Sequence, residues 1–92
     1  QFYRVKFVCS TDSEIAVRAL LFQALDLKKL RFHAIRSHRV EASDEMEIEA
    51  TLFSGKEGDG MVEAMVAQMS LRPSILSTSW VKIDESEWSP QR

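Results

Sequence analysis

This 92-residue chain is short of several things, and each shortage excludes something. It has one cysteine, Cys9, so no internal disulfide can form, which fits a reducing compartment. No run reaches the roughly 18 apolar residues of a membrane helix. The nearest stretch, residues 15–27, is interrupted by Arg18, Gln23 and Asp26. No signal peptide is visible. There is no basic excess: 12 Lys and Arg stand against 14 Asp and Glu, for a net charge of −2. Free-standing nucleic-acid binders usually carry the opposite balance. Glycine is confined to one place, since all three lie in SGKEGDG, residues 54–60, which reads as a loop. No initiator Met precedes Gln1, and the chain opens already in a strand pattern, so a piece of a longer protein is expected.

What remains is ordinary globular material, 45% hydrophobic and 28% charged, enough for one modest core. Residues 2–9, FYRVKFVC, alternate: Tyr3, Val5, Phe7 and Cys9 share one face, Arg4 and Lys6 the other. Period two with aromatic and β-branched residues predicts a half-buried strand. Thr11 and Glu14 are spaced as a capping box, which predicts a helix to about residue 27. Its apolar face is Ala16, Val17, Leu20, Leu21, Ala24 and Leu27, while Ile15, Phe22 and Leu25 fall outside it. A helix apolar nearly all round is usually covered on more than one side.

Residues 30–40 predict a second strand with a bulge near residues 33–35, because Leu30 and Phe32 share a phase that Ile35 breaks. EASD, residues 41–44, is the turn. Residues 45–53 predict the clearest strand, with Met46, Ile48, Ala50 and Leu52 opposite Glu45, Glu47, Glu49 and Thr51. Asp59 is placed to cap a second helix over about residues 60–71, with Val62, Met65, Val66 and Met69 as its stripe and Pro73 beyond its end. Residues 75–83 predict a fourth strand, and residues 84–92 a loose tail. The order β-α-β-β-α-β, with right-handed crossovers, predicts an α+β ferredoxin-like fold: a four-stranded antiparallel sheet of order 4-1-3-2 with both helices on one face.

That fold decides how RSHRVEASDEMEIEA, residues 36–50, is read. Its basic arm, Arg36, His38 or Arg39, and its acidic arm, Glu47 and Glu49, become neighbouring strands with Arg4 and Lys6 alongside. Opposite charges on neighbouring strands contribute about 0.2–1 kcal/mol per pair. The structural reading, charges that pair and fix register, outweighs two sharper ones. His33, His38, Glu47 and Glu49 include transition-metal ligand types, but exposed strand residues rarely preorganise a metal shell. No structural-zinc spacing is present. Single-stranded RNA would want aromatics where the third strand shows Glu47, Glu49 and Thr51.

Other chemistry is sparse. Cys9, just before a helix start, is the place for an activated thiol, but its alternation puts it in the core. Ser10, Thr11, Asp12 and Ser13 are explained by capping, with no histidine near in sequence to activate a nucleophile. An acylphosphatase shares the fold class but would want a catalytic Asn, and the chain has none. Met61, Met65 and Met69 are better core filler than partner surface. Ile15, Phe22, Leu25 and Trp80 are the candidate interaction surface.

Three stretches, YRVKFVCSTDSEIAVRALLFQAL, LRFHAIRSHRVEASDEMEIEATL and SLRPSILSTSWVKI, resemble the C-terminal cytoplasmic domain of the MgtC family, most like its mycobacterial members. The likeness covers nearly everything but the tail. It implies an ACT-like domain over residues 1–83. It further implies a soluble piece, on the cytoplasmic face of the bacterial inner membrane, of a protein tied to survival in macrophages and growth at low magnesium. The implied partners are the membrane-embedded N-terminal part, a second copy, or another membrane protein; no cofactor, metal or nucleic acid is implied. ACT domains often hold amino acids at a Gly-containing loop after the first strand. Here that loop is Ser10, Thr11, Asp12 and Ser13, with no glycine, which weakens the alternative of an amino-acid sensor.

Overall fold

The computed structural model describes residues 1–28, 30–55 and 58–83, without the side chains of Leu27 and Lys28. The expected tail, residues 84–92, lies outside these residues, as does Leu27's place on a helix face. Strands β1 (Phe2–Ser10), β2 (Arg31–Arg39), β3 (Glu45–Phe53) and β4 (Ile75–Ile83) alternate with helices α1 (Glu14–Lys28) and α2 (Asp59–Ser70). The sheet runs β2-β3-β1-β4, every pair antiparallel, which is the expected 4-1-3-2 order. No helix among the described residues is long and apolar enough to cross a membrane.

β1 sits in the middle because it can bury a whole face. Tyr3, Val5, Phe7 and Cys9 are wholly buried, and each lies opposite a β3 residue of the same face: Leu52, Ala50, Ile48 and Met46. The two helices close this wall with Val17, Leu21 and Leu25 from α1 and Val62, Met65, Val66 and Met69 from α2. The bulge falls between Phe32 and Ala34, where His33 is the extra residue, and it explains the broken phase of β2.

Three local expectations are corrected. The capping box does not form: Thr11–Ser13 make a 3-10 turn, the Thr11 N–H donates to the Asp44 carbonyl at 2.8 Å, and the Glu14 carboxylate takes Arg18. Asp59 is the first residue of α2 rather than its cap, Gly58 holds the cap position, and α2 stops at Ser70. The inner face of α1 is rotated: Leu25 is buried, while Ala16 is exposed. A helix apolar nearly all round does not set its own rotation. Here Val17, Leu21 and Leu25, spaced by four, follow the sheet, and Arg18 on the flank donates to the Ser37 hydroxyl of β2 at 2.6 Å.

Candidate functional site

The uncovered face of the sheet collects the charges, because the pleat sends every second side chain of the central strands there. Glu49 pairs with Arg4, 3.0 Å from its Nε, and faces an Arg36 nitrogen at 3.5 Å. Glu47 stands 2.9 Å from His38 Nε2 and 3.7 Å from Lys6 Nζ. β2 contributes its partners directly across the ladder, Arg36 opposite Glu49 and His38 opposite Glu47. Those of β1 come diagonally, since Arg4 lies opposite Thr51 and Lys6 opposite Glu49. The pairing read from residues 36–50 is therefore the one formed.

This geometry limits the chemistry. A shallow hollow of about 250 Å³ lies between Arg4 and Arg36, floored by Glu49 and Thr51. Each carboxylate already serves two basic groups. His33 lies at the far end of β2 with its ring edge-on to Phe2, 5.4 Å between centroids, so the two histidines do not converge. Among the described residues, no three His, Cys, Asp or Glu side chains are grouped to hold a metal ion.

Ser10 and Ser13 spend their hydroxyls on each other at 3.1 Å, with Thr11 and Asp12 between them in the 3-10 turn. Cys9 is in the core, where burial first, and then the Glu14 carboxylate, push its thiol pKa up, away from the thiolate.

The candidate interaction residues divide. Ile15 is 84% exposed and Phe22 46%, both on the outer flank of α1, and the Phe22 ring meets Phe32 of β2 at 4.9 Å. Leu25 belongs to the core and is removed from this surface. Trp80 is partly covered: it lies opposite Val5, half-buried on the helix side, with its ring 6.0 Å from Tyr3. An alternation on an edge strand gives no sign of which phase is covered, and register against β1 decides it.

One polar cluster escaped the sequence reading. The Tyr3 hydroxyl accepts the Gly58 N–H at 2.9 Å and donates to Asp59 Oδ1 at 2.6 Å, and Lys82 Nζ stands 3.5 Å from the same oxygen. The bond from Tyr3 first, and the Lys82 charge next, hold the Asp59 carboxyl below its ordinary range against an opposing effect of desolvation. The available signal was a tyrosine in a wholly buried phase, whose hydroxyl needs a partner.

The sequence profile described as the MGTC/SAPB C-terminal domain matches residues 3–80. The MgtC protein of Brucella abortus is 32% identical over 84 residues, covering 91% of this chain. The chain spans only 35% of the length of that relative. The solution structure of the C-terminal domain of MgtC from Mycobacterium tuberculosis superposes with a TM-score of 0.79 at 26% identity, over 88% of this chain and 85% of that one. The ACT domain of a GTP pyrophosphokinase from Chlorobium tepidum gives a TM-score of 0.63 at 4% identity, over 87% of this chain and 96% of that one, a likeness of fold alone.

Proposed function

Because this chain belongs to the MgtC/SapB C-terminal domain family, we propose that it is a regulatory or protein-interaction module of an MgtC-type membrane protein, with no catalysis or metal binding of its own. The observation that carries this reading is the outer flank of α1. Ile15 and Phe22 leave apolar surface in solvent there, and Phe32 widens it. Apolar groups clustered in this way mark contact surfaces more often than they mark chemistry. The open sheet face supports the same reading, since Glu47 and Glu49 there are occupied by Arg4, Lys6, Arg36 and His38.

The module sits on the cytoplasmic face of the inner membrane beside the membrane-embedded part of its own protein, with this flank as its contact surface. Its contribution to survival in macrophages and to growth at low magnesium is regulatory. Phe22→Asp tests the reading. A buried aromatic anchor lost from a contact weakens association about tenfold or more, read by pull-down against the membrane portion and by concentration-dependent sedimentation. Unchanged association removes this flank of α1 from the interface.

A further inference from the structure

We propose that the β2 edge, with the Phe22–Phe32 pair beside it, is a contact surface for an anionic lipid bilayer. The proposal rests on reading the Phe22 flank as a contact surface, and it names what that flank meets. Charge is the first observation. The whole chain carries −2, yet β2, RFHAIRSHR, holds three arginines, two histidines and no carboxylate. Arg36 and His38 are engaged by Glu49 and Glu47. Arg31 and Arg39 are exposed, and neither forms an ion pair among the described residues. A cationic strip is thus left on one edge of an otherwise acidic chain.

Apolar surface is the second observation. Phe22 and Phe32 are 46% and 38% exposed with rings 4.9 Å apart, one on α1 and one on β2, where Arg31 adjoins Phe32 along the strand and Arg39 closes its other end. Exposed rings on an edge that also carries cations suit the boundary between headgroups and acyl chains, where charge and apolar area both contribute.

Two features favour a bilayer over an acidic protein strand. The bulge between Phe32 and Ala34 interrupts the edge, so a partner strand cannot add in continuous register. The cations also straddle the sheet: Arg31 and Arg36 lie opposite Phe53 and Glu49 of the open face, Arg39 opposite Met46 of the covered face. The molecule is 16 Å across its thinnest axis. A flat polyanionic surface reaches both sides of such an edge, whereas one peptide follows one side.

Vesicle co-sedimentation tests this with the 92-residue chain. The probes are mixed phosphatidylglycerol–phosphatidylcholine vesicles, phosphatidylcholine vesicles, and soluble poly-glutamate. The chain binds the anionic vesicles, prefers them to phosphatidylcholine, and is released at about 0.5 M salt. Arg31→Glu with Arg39→Glu lowers partitioning about 25-fold or more, at about fivefold per basic residue near such a surface. Phe22→Ser with Phe32→Ser lowers it about tenfold. All four residues are exposed, and circular dichroism checks that the fold is kept. No preference for anionic lipid, or binding indifferent to the two phenylalanines, overturns the proposal. Equal affinity for poly-glutamate assigns the strip to an acidic protein and overturns it too. Failed vesicle binding with Phe22-dependent protein association intact sinks the lipid assignment alone, and failure of both sinks the reading of the flank.

Discussion

Removing a single oxygen tests how the open end of α2 is tied to the sheet. Tyr3 is wholly buried, and its hydroxyl is acceptor for the buried Gly58 N–H and donor to Asp59. Tyr3→Phe keeps the ring and its packing but orphans the Gly58 N–H. Leaving one buried donor without a partner costs about 1–3 kcal/mol. Taking about 2 kcal/mol, the melting temperature of a domain this size falls by about 8–16 °C. Urea unfolding at pH 7 reads the change as a lower midpoint with an unchanged slope. The pH dependence adds a sign. Asp59's pKa is lowered in the folded state, chiefly by Tyr3 and then by Lys82. Stability from this group is present above its unfolded pKa and is lost as pH falls through the lower folded value. Tyr3→Phe removes the leading cause, so the gap to the native chain narrows below pH about 4. A variant within about 0.5 kcal/mol of native at pH 7, or a gap that ignores pH, refutes the reasoning.

Other perturbations separate the remaining claims. Gly58→Ala places a Cβ 2.9 Å from both Ser54 Cβ and Ser54 Oγ, costing about 1–3 kcal/mol, whereas Gly55→Ala and Gly60→Ala meet nothing within 4 Å and leave the melting temperature level or slightly raised. Glu49→Gln weakens two arginine contacts and lowers stability by about 0.5–1.5 kcal/mol, a difference that shrinks in about 1 M salt. A salt-independent loss would contradict the ion-pair account. Leu25→Ala costs about 2–5 kcal/mol while Ile15→Ala changes stability by under about 0.5 kcal/mol, and equal values would mean the rotation of α1 is misassigned. The Cys9 thiol, buried with a raised pKa, resists Ellman's reagent at pH about 8 until guanidinium unfolds the chain, so rapid labelling of the native protein would place it elsewhere.

Legibility in the sequence follows how local the cause is. β1 and β3 alternate strictly because one face is sealed by helices and the other is wet, so their inner residues were readable one by one. The stripe of α2 was readable for the same reason. Strand order brought the basic and acidic strands of the open face together, and the register of β2 against β3 then selected Arg36 and His38 over Arg39. The burial of Leu25 and the partial cover of Trp80 were not legible because their placement depends on neighbours: α1 has apolar residues to spare, and β4 takes its phase from β1. The Thr11–Glu14 spacing lost to a long-range bond, Thr11 N–H to the Asp44 carbonyl, which no local pattern encodes. The Tyr3–Asp59 bond joins residues 56 apart, and only the chemistry of a buried hydroxyl hinted at it.

The additional residue at His33 has an evolutionary corollary. Phe32 lies opposite Leu52 and Ala34 opposite Thr51, neighbours on β3, so His33 sits outside the ladder count. Deleting it would join Phe32 to Ala34 in unbroken alternation, with each still on the side it occupies now. Natural variants that differ by one residue here would keep the same interior, so insertions and deletions should accumulate at this position sooner than anywhere along β1 or β3.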